Sequence, residues 1–511
     1  MSVLWDLPSS WRWATMGEIA DVVGGGTPST KTSGNFNGRI PWITPADLSG
    51  YREKFISRGA RNISEEGFEQ SGAKWLPKGA VLFSSRAPIG YVAIALNPLT
   101  TNQGFKSFIL PQEIDQEFIY YWLGSAKEFA EALASGTTFL EVSGAKAGRI
   151  PFPCPPREEQ TRIVEKLDEL LSGLDAGVAE LKAAQKKLGQ YRQSLLKAAV
   201  EGSLTADWRA KNSPTETGAQ LLERILTERR ARWEAKQLAK FKEQGKTPPK
   251  DWQKKYPEPV QPDTTDLPKL PDGWVWASLE QLSEFITSGS RGWADYYAES
   301  GATFIRSQNI NKDWLDLSDI AFVRPPFSTE GTRTRVRPYD LLLTITGANV
   351  GKAAWVEGSI DEAYVSQHVA LIRPIETTLA PFLHMFLIAS AGGRGQLNKE
   401  AYGAGKPGLN LQQVGAVTVP LPSVAEIAAL IDSMARQVQA LIEQTIAIEF
   451  ALKQSAAQRK NILKAAFSGQ LVPQDPSDEP ATVLLARIRA ERAAAAVPKN
   501  PRTRLHTREL A

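Results

Sequence analysis

The sequence predicts an α+β protein in which two similar mixed α/β domains are each followed by a long helix. Three observations predict it: an internal repeat, strand-length apolar runs in each copy, and a heptad seam after each copy. Leu7-Pro8-Ser9-Ser10-Trp11-Arg12-Trp13 returns as Leu270-Pro271-Asp272-Gly273-Trp274-Val275-Trp276. Leu195-Leu196-Lys197-Ala198-Ala199 returns as Ile462-Leu463-Lys464-Ala465-Ala466. A spacing of about 265 residues marks a duplicated domain, because solenoid repeats are far shorter.

The first domain occupies residues 1–154. Val81-Leu82-Phe83 and Tyr91–Leu96 read as strands, and Ser84–Gly90 between them carries the Pro and Gly of a turn. Gly24-Gly25-Gly26-Thr27-Pro28 lacks the Lys-Ser/Thr of a phosphate-binding loop and reads as a flexible loop. Residues 155–204 form the first long helix, opened by Pro155-Pro156 and the acids Glu158 and Glu159. Its seam runs Ile163, Leu167, Leu170, Leu174, Leu181, Ala184, Leu188, Tyr191 and Leu195, broken at Gly177. Residues 205–268 hold a charged helix, placed over 219–244, and a Pro- and Lys-rich linker expected to be extended and solvated.

The second domain, 269–421, repeats the pattern, with Leu341–Ile345 and Ala353–Val356 flanking the turn Thr346–Gly351. The second long helix, 422–472, opens on the capping box Ser423-Val424-Ala425-Glu426. Its seam is Ile427, Ile431, Met434, Val438, Leu441, Ile448, Leu452 and Ile462, interrupted by Thr445, Ser455 and Arg459. Gly202 and Gly469 stand where a helix C-terminus favours glycine. Residues 473–511 are read as a short charged helix near 481–494 and a disordered basic tail, Pro498–Arg502.

Composition excludes several classes. Cys154 is the only cysteine of 511 residues, so there is no disulfide framework or cysteine zinc site, and a reducing cytosol is expected. The N-terminal residues lack a signal-peptide pattern, and no apolar run is long enough to span a bilayer. A net charge of +4 permits nucleic-acid binding through a local patch without arguing for it. His368, His384 and His506 form no ligand-spaced cluster and read as structural or surface histidines, so no metal site is expected. Asn97-Pro98-Leu99-Thr100 lacks the second proline and the aromatic ring of an adenine methyltransferase motif. No catalytic residues are visible.

The positive signals are polar and basic residues that punctuate the strands. In the first domain they are Thr27, Lys31, Arg39, Thr44, Ser85, Arg86, Asn102, Gln103 and Lys106. In the second they are Arg291, Arg306, Gln308, Asn309, Asn349, Lys352, Gln367 and His368. Arg reads guanine bidentately and Asn or Gln reads adenine, so this inventory suits base readout in a groove of duplex DNA. Arg86 is the leading base reader, and Lys106 the leading phosphate contact. Two similar halves also suit a pseudo-two-fold target such as duplex DNA.

The chain resembles the specificity subunits of type I restriction–modification enzymes from Leu7 to Val472. The resemblance rests on Pro155-Pro156-Arg157-Glu158-Glu159-Gln160, on the two Leu-Lys-Ala-Ala helix ends, and on the Pro-rich entries Pro151–Pro156 and Val419-Pro420-Leu421-Pro422. Arg86-Ala87-Pro88-Ile89-Gly90 and Asn102-Gln103-Gly104-Phe105 also look like the family's recognition-domain frame, while Glu159-Gln160 becomes Glu426-Ile427 in the second copy. The resemblance implies two target-recognition domains, each reading half of a split DNA sequence. It implies that the long helices form an antiparallel coiled coil, pseudo-two-fold, acting as a ruler. It further implies two methyltransferase subunits that bind S-adenosylmethionine and methylate adenine, and two restriction subunits that use ATP and Mg2+. All chemistry would then lie on the partners. Two other readings stay open: a fused nuclease active with magnesium alone, and a coiled-coil nucleic-acid adaptor without sequence specificity.

Overall fold

Apolar, strand-forming runs assemble one main sheet in each repeat. The structure, a computed structural model, describes residues 4–86, 88–136, 140–289, 291–324, 333–401 and 407–496. His506 and the tail Pro498–Arg502 lie outside the described residues. The chain divides into two units: unit 1 takes residues up to Leu181 together with those from Phe450 onward, and unit 2 takes Lys182–Glu449.

The main sheet of unit 1 has the order Asp21–Gly24, Lys106–Ile109, Val81–Ser85, Ile89–Ala95, Phe55–Ile56. That of unit 2 runs Ser283–Ser288, Val369–Pro374, Leu341–Thr344, Ala353–Trp355. Apart from the edge strand Phe55–Ile56, these are the same topology. A smaller sheet also recurs, with Thr100–Thr101 parallel to Phe36–Ile43 in unit 1 and Ala363–Val365 parallel to Ala302–Ile305 in unit 2. Val81, Leu82 and Phe83, like Leu341, Leu342 and Leu343, are fully buried, which is why these strands read as continuous apolar runs rather than alternating ones. Each Trp-rich start pairs antiparallel with the Pro-rich entry to a long helix: Arg12–Thr15 with Pro151–Cys154, and Val275–Ser278 with Thr418–Leu421. Pro151, Pro153 and Pro420 are tolerated because a two-stranded ribbon leaves one side of each strand without need of a donor.

The long helices are Arg157–Val200 and Val424–Phe467, 44 residues each, or ~66 Å at 1.5 Å per residue. Ile163, Leu167, Leu195, Ile427, Met434 and Leu441 are buried. Leu170, Leu174, Leu181, Leu188, Ile431, Val438, Ile448, Leu452 and Ile462 are half-buried. Pairing is antiparallel inside each unit. In unit 1, Asp175 pairs with Arg459 and Arg162 with Asp478. In unit 2, Tyr191 donates to Gln437 at 3.2 Å and the Thr205 hydroxyl donates to Glu426 at 2.7 Å. The hydroxyls of Thr445 and Ser455 donate to the carbonyls of Leu441 and Ala451, so these polar seam residues leave nothing unpaired.

Four expectations need correction. Half-buried Val178, not Gly177, continues the seam, and Tyr191 leaves it with half its surface exposed. Gly24–Gly26 is not a flexible loop: a Cβ on Gly25 would lie 2.2 Å from the Asn102 carbonyl oxygen, and one on Gly26 would lie 2.1 Å from the Ala73 nitrogen. Glycine is needed there for close backbone approach. The linker after the charged helix Gly218–Glu243 is mostly exposed, as expected, but is anchored at intervals rather than free. Trp252 stacks on Trp233, and buried Tyr256 accepts from Arg229 at 2.6 Å.

Each unit is closed by a buried carboxylate at the start of a long helix. In unit 1, Glu159 accepts from Trp11 Nε1 at 2.9 Å and from Gln474 Nε2 at 2.5 Å. In unit 2, Glu426 accepts from Trp274 Nε1 at 2.9 Å and from Thr205, and pairs with Arg209. Desolvation holds the Glu159 carboxyl above the usual carboxylate range. Gly202 and Gly469 end the helices in the left-handed region, with φ +75° and +72°. A Cβ on Gly202 would press on Pro271, and one on Gly469 on Pro8.

His384 gives unit 2 a pH dependence. It is carried by the helix Ala380–Ile388, and its Nε2 lies 2.9 Å from the Asp313 carbonyl and 3.2 Å from that of Ala353, so the neutral ring donates there. Burial lowers its pKa, although both carbonyls and the Asp313 carboxylate pull upward. A folded-state pKa below the unfolded value of about 6.5 means that the unfolded chain binds the proton more readily. Stability is therefore present above that pH and lost below it. Unit 2 should lose thermal stability between about pH 7 and pH 5, and His384→Gln, which retains a donor, should reduce that loss. Identical slopes for the two proteins in thermal unfolding at both pH values would refute this.

Candidate nucleic-acid interface

In unit 1, loops that follow three strands open on one cleft. Thr44, Pro45 and Ala46 follow Phe36–Ile43, Arg86 follows Val81–Ser85, and Asn102 and Gly104 follow Thr100–Thr101. With Glu141 they line a cleft of about 450 Å³. The Glu141 carboxylate lies 3.6 Å from Arg86 Nη1 and 3.7 Å from Lys106 Nζ.

The fates of the predicted residues differ. The Arg86 side chain is 36% exposed and faces the cleft, but that of Lys106 is only 14% exposed and donates to the Gln103 carbonyl at 3.2 Å. Burial lowers the Lys106 pKa, with Glu141 opposing and Arg86 reinforcing the shift. Lys106 is thus largely withdrawn from solvent between the Gln103 carbonyl and Glu141, which weighs against its reading as the leading phosphate contact. Ser85 is buried and donates to the Gly104 carbonyl at 3.1 Å, so it fastens the loop from inside. Asn102 Oδ1 accepts from the Gly104 N–H at 2.9 Å, and the Thr44 hydroxyl donates to Asp47 at 2.7 Å. Thr27, Lys31, Arg39 and Gln103 are exposed.

Unit 2 keeps the frame and changes the groups. Val142 N–H donates to Ser85 O in unit 1, and Leu409 N–H donates to Ile345 O in unit 2. The bridge between Arg86 and Glu141 thus corresponds to that between Thr346 and Gly408. Asn309 takes the place of Asp47: buried, it caps the Arg306 N–H at 2.9 Å as Asp47 caps that of Thr44 at 2.7 Å, so it builds the loop. Arg306 and Gln308 both donate to Asp319, at 3.3 and 2.7 Å. Lys352 lies 3.4 Å from Asp313, which also holds Arg394 at 2.5 Å. Asn349 donates weakly to the Ser307 carbonyl at 3.4 Å. His368 Nδ1 meets the Thr346 hydroxyl, and Gln367 and Arg291 are exposed.

Sequence reasoning missed the acids that hold these groups: Glu141, Asp47, Asp313 and Asp319. Cations and amides that can read bases are visible as residue types, whereas an acid that holds them is known only by its partner. Only Asp47, third after Thr44 in Thr44-Pro45-Ala46-Asp47, carried a local signature, that of a capping box. Among the described residues there is no group of acids, histidines and cysteines able to hold a metal ion, and no helix long and apolar enough to cross a membrane.

Comparison with known proteins points one way. The family model described as "Type I restriction modification DNA specificity domain" matches residues 8–183. The MjaIX specificity subunit of Methanocaldococcus jannaschii is 43% identical over 163 residues, a stretch spanning 32% of this chain and 38% of that relative's length. The EcoBI specificity subunit of Escherichia coli is 25% identical over 514 residues, spanning 98% of this chain and 96% of the relative. A chain from a solved structure concerned with assembly and conformational transition of the type I R-M system shares the fold. Its TM-score is 0.64 at 17% identity, over 92% of this chain and 100% of the other.

Proposed function

We propose that this chain is a specificity subunit of the type I restriction–modification family, a reading supported by its likeness to those subunits, and that it reads a bipartite sequence in duplex DNA, one half-site per recognition domain, and directs adenine methyltransferase and restriction subunits to it. The observation that carries this reading is a repeated frame with unlike loop tips. Equivalent strands present Arg86 opposite Glu141 in one domain and Thr346 opposite Gly408 in the other. A constant frame serves a constant task, and different side chains at equivalent points serve different half-sites.

The chain is a non-catalytic component. S-adenosylmethionine, ATP and Mg2+ belong to two methyltransferase and two restriction subunits, in the cytoplasm, and the long helices serve as the ruler between half-sites. Ile442 and Ile446, one helical turn apart and 47% and 60% exposed, offer an apolar stripe suited to a partner's helix. Sequencing host DNA for methyladenine with and without this chain tests the proposal. Loss of methylation at one bipartite motif is expected, and an unchanged methylation pattern would reject it.

Two substitutions separate base reading from phosphate contact. Arg86→Ala should cost about 1–3 kcal/mol on the true site and relax preference at one position of the first half-site. Exposed Lys31, changed to Ala, should weaken binding to all duplexes alike and reduce the salt slope by about one. Binding to specific and scrambled duplexes at two salt concentrations distinguishes them. If neither variant alters binding, another surface of the domain meets the DNA.

A further inference from the structure

We propose that Glu141 is a specificity-determining residue that acts as one unit with Arg86, the two together matching the major-groove edge of a single G·C base pair. The inference rests on the DNA-reading assignment of the first domain. Arg86 would donate to guanine O6 and N7, while the Glu141 carboxylate accepts from the N4 amino group of the paired cytosine.

The geometry carries this in four steps. The two residues are held in register by the main chain: Arg86 bridges to Glu141, Glu141 exchanges N–H···O bonds with Ser135 at 2.9 and 3.0 Å, and Val142 donates to Ser85 at 3.0 Å. Their side chains are 36% and 42% exposed and line the same cleft. Their charged atoms stand 3.6 Å apart, too far for a closed hydrogen-bonded fork, so each keeps capacity for a ligand. Guanine O6 and cytosine N4 are themselves hydrogen-bonded neighbours about 3 Å apart, so a side-by-side cation and anion at this spacing meet both groups at once.

The Thr44 hydroxyl is committed to Asp47, and Asn102 Oδ1 to the Gly104 N–H. A carboxylate facing DNA is repelled by phosphates, and the base groups that reward it are the exocyclic amino donors. Lys106, 3.7 Å from the Glu141 carboxylate and with a side chain only 14% exposed, adds positive charge beside it without lining the cleft. In the second domain the equivalent positions are Thr346 and Gly408, which carry neither charge, as expected where a different base pair is read.

The test uses the full chain assembled with its methyltransferase subunits and a duplex library randomised in the first half-site, at two salt concentrations. Glu141→Gln should lower preference at one base pair by about 5- to 150-fold, leaving other positions within about twofold. Arg86→Lys, which loses the bidentate fork but keeps the charge, should relax the same base pair. A uniform gain of affinity in Glu141→Gln would mean that the carboxylate only shields Arg86 and Lys106, and would overturn the inference. So would unchanged preference, or effects of the two variants at different positions. If the wild-type assembly itself showed no preference in that half-site, the recognition assignment would fall with it.

Discussion

Replacing residues 1–154 by the corresponding domain of a relative will change one half of the recognised sequence and leave the other half intact. The separability follows from the fold. The cleft residues Thr44, Arg86, Asn102 and Glu141 all belong to that segment and take their positions from its own strands. One condition applies. Phe467, at the end of the second long helix, sits edge-on against Phe118 at 5.6 Å and Trp122 at 5.0 Å. An incoming domain must keep that aromatic seat, because emptying a buried Phe site costs about 3–5 kcal/mol. Methylation mapping reads the result directly. A graft that kept the seat and yet altered both half-sites would refute independent reading by the two domains.

Glu426→Ala will destabilise unit 2 by about 3–5 kcal/mol, because it leaves the Arg209 guanidinium and the Trp274 N–H facing an empty site at the base of a helix. Glu159→Ala, its counterpart, will cost less, about 1–3 kcal/mol, since its direct partners Trp11 and Gln474 are neutral. Glutamine cannot substitute fully at Glu159: two donors converge on its two oxygens, and an amide offers only one acceptor atom. Denaturant unfolding of the two alanine variants checks the order. Equal losses, or a loss below about 1 kcal/mol for Glu426→Ala, would show that the carboxylate contributes little.

The architecture was legible because it is written in long-range pattern. Seam residues such as Ile163 and Leu167, or Ile427 and Met434, recur at helical spacing, and Trp11 and Trp274 mark the repeat. The sheets were less legible. Thr100–Thr101 and Phe55–Ile56 are two residues long, too short to show a period, and Val81–Phe83 is apolar on both faces. The candidate interface was legible in its cations and amides but not in its anions. Glu141 meets Arg86 across 55 residues of chain, and Asp313 meets Arg394 across 81. Buried Ser85 and Asn309 show the converse error. Both are residue types that serve equally as readers and as turn builders, and only their hydrogen bonds distinguish the two roles.

Duplication and folding are out of phase in this chain. The boundary of unit 1 falls at Leu181 and Phe450, inside both long helices, while the repeat in the sequence turns over near residue 269. The core of unit 1 therefore includes Ala466, Phe467, Leu484, Leu485 and Ile488 from the far end of the chain, and that of unit 2 includes Leu195, Leu196, Leu221 and Ile225 from before its own repeat begins. What was copied in sequence is thus not what folds as a body. A single repeat expressed alone would lack the segment that completes its core.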